Sequence, residues 1–245
     1  MGLETRKNIQ LALLAAMAIA GIRVGVVFYH RHEDRVAAEQ QKKARDRGYS
    51  NVDYYVNPKK LHPYDLKSAK QLTQQPVWVR EGYHSTYFPY DPKTKRVDFT
   101  HEAGLLGPIE KLNITDVITA APPKPGERRQ MLAAFQNEGK SYAVPIGIEG
   151  DNDDYQIFSD DLFFIEDPHQ LYKHWPADVW QAVDQHEVKP GMNDLQVDFA
   201  VGMGIPDSGG SEDDRTVRYA NGGKPLVVVF RNGKVAEVNP GTPAS

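Results

Sequence analysis

Any chemistry this chain performs must do without a thiol, because its 245 residues include no cysteine. That removes thiolate nucleophiles, disulfides and cysteine-ligated zinc together. The histidines are His30, His32, His62, His84, His101, His169, His174 and His186. His101-Glu102 lacks the second histidine that a helical zinc-hydrolase motif requires. His169 and His174 flank Lys173 at a spacing that does not share a helix face well. No metal site and no cofactor is expected. Asp151-Asn152-Asp153-Asp154 offers oxygen ligands, but it lacks the glycine and the closing glutamate of a calcium loop and reads as a solvated turn. Asp160-Asp161 reads as strand-edge charge that deters pairing. Ser85, Ser141 and Ser159 lack a nucleophile-elbow context. Gly202-x-Gly204 lacks the preceding strand of a dinucleotide fingerprint. No catalytic residue is expected, and the chain reads as non-enzymatic.

The most site-like feature is aromatic. Trp78, Tyr83, His84, Tyr87, Phe88 and Tyr90 crowd one turn-rich stretch. Rings in such segments can stack on sugars or hold peptides. The competing reading is that they fill a core, where Trp78 belongs. Tyr83, His84, Tyr87 and Tyr90 are the candidate ligand or partner contacts.

Short strands must position these groups. The 17 prolines and 20 glycines predict a body richer in turns and strands than in helices. Val77–Val79, Arg96–Phe99, Asp116–Thr119, Met131–Phe135, Ser141–Ile148, Tyr155–Phe158 and Asp161–Ile165 read as strands. Gly104–Pro108 reads as a turn. Together they suggest a small β-barrel-like domain over 64–168, with a Src-homology-3-like barrel as the preferred form. Over 169–245 the order predicted is helix, helix and a three-stranded antiparallel meander. Pro176 opens the first helix, with Val179, Trp180 and Val183 on its apolar face. Asn193 caps the second, with Asp194 in the first turn. The strands are Thr216–Tyr219, Leu226–Phe230 and Lys234–Val238, joined at Asn221-Gly222-Gly223 and Arg231-Asn232-Gly233. Such a meander also offers an edge strand to a partner.

Ahead of this body, residues 1–29 read as a tail and transmembrane anchor, and residues 30–63 as a helical stalk ending at Gly48 followed by an extended connector. Ile9–Tyr29 is long enough as a helix to cross a hydrocarbon core of about 30 Å. Arg23 interrupts it near one end, where its stem can snorkel. The rival reading is a signal peptide cleaved after Ala18-Ile19-Ala20. The fold class predicted is therefore α+β: membrane helix and stalk, small barrel-like domain, then the helix-helix-meander unit. A lipoprotein anchor is excluded for want of a cysteine. The formal net charge of −4 argues against a general nucleic-acid binder. Arg6 and Lys7 precede the apolar run, and Arg31, Arg35, Lys42, Lys43, Arg45 and Arg47 follow it. Counted plainly, these favour a cytoplasmic body.

The C-terminal third resembles the BamE-like fold of small outer-membrane assembly lipoproteins. Gly191-Met192, Val197, Gly202, Pro206 and the hairpin Phe230-Arg231-Asn232-Gly233-Lys234-Val235 carry the likeness. Met203-Gly204-Ile205 lies where that family usually has one residue. The resemblance implies an envelope protein that works by binding other proteins, and it places the body on the periplasmic side of the inner membrane. The function expected is a membrane-anchored bacterial envelope protein mediating protein or cell-wall contacts. Its partners would be the bilayer through Ile9–Tyr29 and an envelope protein or the cell wall, with no nucleic acid. The alternatives are a glycan- or peptide-binding module using the Tyr83–Tyr90 loop, or an unrecognised hydrolase.

Overall fold

Short strands joined by tight turns dominate the described residues, as the glycines and prolines predict. The computed structural model describes residues 56–80, 82–124, 126–150 and 154–242. Helix α1 (Leu66–Ala69) runs into a 3₁₀ turn over Lys70–Gln74, and nine strands follow. These are β1 (Val77–Val79), β2 (Thr86–Asp91), β3 (Arg96–Val97), β4 (Gly104–Leu105), β5 (Lys111–Leu112), β6 (Ile114–Ala120), β7 (Gln130–Asn137), β8 (Lys140–Glu149) and β9 (Tyr155–Ile157). Next come α2 (Ser159–Leu162), β10 (Phe163–Phe164), α3 (Pro168–Leu171), α4 (Ala177–Asp184) and α5 (Asp194–Val201). The chain closes with β11 (Gly204–Pro206), β12 (Arg215–Tyr219), β13 (Leu226–Arg231) and β14 (Lys234–Pro240).

Three sheets result. The largest has seven strands, in the order β3-β2-β8-β7-β6 with β4 on β2 and β9 on β8, and it curls into a half-barrel. Its hub is β7, where every residue from Met131 to Phe135 is buried. A strand covered on both faces shows no apolar–polar alternation, only a continuous apolar run. Met131, Ala133 and Phe135 face one core, while Leu132 and Ala134 face another with Tyr90 and Ile118. The C-terminal sheet is β11-β12-β13-β14. A third sheet, β10-β1-β5, joins the two regions. Its strands alternate faces. Val77, Val79, Leu112 and Phe163 enter the core of the β region, whereas Phe164 and Trp78 join the core of α4, α5 and the C-terminal sheet.

This architecture corrects the expected α+β class. The described residues are mostly β-sheet in three sheets, with few and short helices. The sheet that was expected to close as a small barrel stops at a half-barrel, because β9 and β4 pair at its margins without joining β6. The meander has four strands, since Gly204–Pro206 pairs with β12. Asp161–Ile165 divides into the end of α2 and the two-residue β10, and Gly104–Leu105 is a short strand. The transmembrane helix and the single-pass inner-membrane location with a periplasmic body are likewise not supported. Among the described residues no helix is long and apolar enough to cross a membrane. Ile9–Tyr29 and the stalk to Gly48 lie outside the described residues, as does the Asp151–Asp153 part of the predicted turn.

The caps follow local chemistry. Asn193 accepts the Gln196 N–H while the Gln196 side chain accepts the Asn193 N–H, a reciprocal box at the start of α5. Pro176 stands at the entry to α4. Residues 56–63 carry no regular structure, and two carboxylates pin them. Asp160 accepts the N–H groups of Leu61 and His62 at 3.0 and 2.8 Å. Glu166 accepts that of Lys59 at 2.9 Å.

Candidate functional site

The site is built by the short segment between β10 and α4. Asp167 caps α3 by accepting the His169 N–H at 2.9 Å, and Pro168 fills the first helical position. The cap turns the His169 ring back, so that Nδ1 lies 3.2 Å from Asp167 Oδ1. Helix α4 then presents Trp180 and Val183 to the core and Asp184 at its last turn. Asp184 Oδ1 is 3.0 Å from His169 Nε2. The imidazole stacks on Trp180 with ring centres 4.0 Å apart and planes 24° from parallel. Trp180 is held from behind: its Nε1–H donates to Tyr172 O at 3.2 Å, and Trp175 lies at 5.0 Å. His169 is thus fixed by two carboxylates and one indole.

Two adjoining hollows share His169 and Asp184. The larger, about 610 Å³, is open and is lined by Lys173, Trp175, Trp180, Gln181 and Gln185. The smaller, about 340 Å³, is more enclosed and is walled by Trp78, Pro108, Ile109, Glu110, Lys111 and His186. It forms where the β1–β5 edge meets the end of α4. Ile109 and His186 both hold φ near +57°, at 58° and 56°. For a β-branched residue such as Ile109 this is a strained conformation, maintained by its packing against the neighbouring core. His186 donates Nδ1–H to Ala200 O at 2.9 Å, which leaves Nε2 as an acceptor.

The structure distributes the four sequence-predicted contacts over different surroundings. Tyr83, itself at φ 58°, is half-buried and lays its ring over Gly202 and Gly222. A side chain at Gly222 would come within 2.8 Å of that ring. His84 is exposed. Tyr87 packs edge-on against Phe135 and Tyr142, at 5.4 and 5.0 Å. Tyr90 is 8% exposed and belongs to the core on the opposite face of the sheet. Burial pushes all three phenols up, with Glu110 adding to the effect at Tyr83 and Tyr87, and Asp116 at Tyr90. Core filling therefore accounts for Tyr87 and Tyr90. Asp160, read as an edge charge, is instead a clamp for residues 61 and 62. The sequence reading passed over Trp175, Trp180 and Asp184 as site residues. The available signal was local: one tryptophan just before a proline-initiated helix and a second inside it, with an aspartate at the helix end.

The C-terminal sheet offers a poor edge. Asp207 donates its N–H to Thr216 O, which makes Ile205 and Asp207 the inward hydrogen-bonding positions of β11. Gly204 and Pro206 then face outward, and proline has no N–H to give. On β14 the outward groups of Val235 are bound to Met192 O and Gly191 N–H at 2.8 and 2.9 Å, and Pro240 again lacks a donor. Prolines at both edges deter strand addition. Among the described residues no group of three or more His, Asp and Glu could hold a metal ion. No protein-family model matches the chain, and neither does any curated protein or solved structure.

Proposed function

We propose that this protein is a binding module without catalytic activity that holds a peptide segment of another protein in the crevice around His169. One observation carries the reading. Two adjoining hollows of about 610 and 340 Å³ combine indole walls with a few fixed polar groups. That is the usual make-up of a recognition site. His169 is held at both ring nitrogens, so neither is left to abstract a proton from a substrate. The blunted sheet edges favour side-chain capture over strand addition as the mode of contact. The BamE-like resemblance of the C-terminal third agrees with a protein-binding role.

The test is site-specific photocrosslinking in cells. A crosslinker at Gln181 or Lys173, on the rim of the larger hollow, traps one defined protein. The same group at Lys140, on the β7–β8 hairpin, does not. Equal trapping from Lys140 argues against the crevice. Turnover of a peptide, ester or glycan by the purified protein, abolished by Asp184→Asn or His169→Gln, overturns the non-catalytic reading.

A further inference from the structure

The smaller hollow has an unequal balance of donors and acceptors. His169 spends both ring nitrogens on Asp167 and Asp184, and His186 spends Nδ1 on Ala200 O. What the lining keeps for a ligand is mostly acceptors. Asp184 Oδ2, Glu110 Oε1 and His186 Nε2 have no partner among the described residues, while Glu110 Oε2 is steadied by the Gly107 N–H at 2.9 Å. Among the described lining side chains the donors are the Trp78 indole N–H and Lys111, which stands opposite Trp78 in the β1–β5 pairing with its ammonium 5.3 Å from the indole centre. The molecule already places a cation against this aromatic wall, and it does so from its own chain.

From this geometry we infer that the 340 Å³ hollow takes the guanidinium of an arginine side chain, with Trp78 as its stacking face and Asp184, Glu110 and His186 as its acceptors. A guanidinium brings a planar fork of five donors and stacks on an indole, which suits a pocket of converging acceptors beside a ring. A lysine ammonium meets the charge but not the plane. Lys111 competes for the same wall, so it limits affinity instead of supplying it. The inference deepens the proposed function by naming the side chain through which the partner peptide is held, and it rests on that reading.

The test uses the full chain and Nα-acetyl-argininamide as probe, followed by calorimetry and by the His186 ring resonances. The expected result is saturable binding, with the citrulline analogue at least about tenfold weaker because it keeps the shape and loses the charge-assisted hydrogen bonds. Asp184→Asn and Glu110→Gln each weaken binding. Lys111→Met, which keeps the stem and removes the competing charge, tightens it. Equal binding of the citrulline analogue overturns the inference. So does a Lys111→Met variant that binds no better, or no saturation by the arginine probe. The two readings fail separately. A crosslinked partner whose capture ignores these substitutions and added arginine refutes the guanidinium pocket and leaves the binding module. Probe binding without any trapped protein does the reverse, and points to free arginine-like amines as the ligand.

Discussion

Phe230 shows how one side chain sets the register of the C-terminal sheet. It alternates with Val228 on β13, is fully buried, and shares a core with Trp180 and Val183 of α4. Arg215 lies with its guanidinium carbon 5.3 Å from the ring centre on the neighbouring strand. Truncation leaves a cavity that rigid sheet and helix cannot fill. Phe230→Ala is expected to cost about 3–5 kcal/mol, read as a lower denaturation midpoint with unchanged slope. No change in the midpoint would mean that the ring does not face this core. Tyr219, one strand over, is buried beneath Gly204, and burial with Asp198 and Asp194 nearby keeps its phenol protonated far above the ordinary range.

Among elements, the two hairpins make a controlled comparison. The β13–β14 turn is Asn232-Gly233, with φ of 51° and 70°. The β7–β8 turn has the same two-residue form, but at φ 50° and 76° it uses Glu138-Gly139. Both central residues must be left-handed in this turn type, and asparagine tolerates that better than glutamate. Glu138 is exposed, and its carboxylate makes no hydrogen bond or ion pair among the described residues. Glu138→Asn is therefore expected to stabilise the protein by about 0.5–1 kcal/mol, by relieving part of the cost of holding a non-glycine residue left-handed. Thermal or chemical denaturation measures it, and a loss of stability would refute the turn assignment.

For the molecule as a whole, the telling contact is between residues 56–63 and the β10 region. Val56 packs on the C-terminal core and Leu61 on the β-region core, so this segment crosses from one to the other. Among the described residues it has no strand partners, and Asp160 and Glu166 supply its backbone acceptors from about 100 residues away along the chain. The Lys59 N–H, then the Lys59 side chain, hold the Glu166 carboxyl below its ordinary value of 4.5. A carboxyl depressed in the folded state contributes stability above its unfolded pKa. That contribution is lost as pH falls through the folded value. Stability should thus decline below about pH 4.5, the ordinary range for this group. Glu166→Gln should flatten that decline while lowering stability at neutral pH. Denaturation series at several pH values test it, and parallel curves for the two proteins would rule the clamp out.

The features legible in the sequence are local. The Asn193 cap, the left-handed Asn232-Gly233 turn, the Pro176 entry to α4 and most strand positions follow from backbone preference and side-chain period, which act over a few residues. Tertiary structure decided everything that depends on which faces meet. It sent Tyr87 and Tyr90 to opposite sides of one strand, and split Trp78 from its neighbours Val77 and Val79 between two cores. It turned Asp160 from an edge charge into a clamp. It also set His169 against an aspartate 15 residues on and a strand about 90 residues back. Period and propensity say which residues must be buried. The shared sheet that both cores grip settles what each is buried against, and the crevice exists only because those two cores meet there.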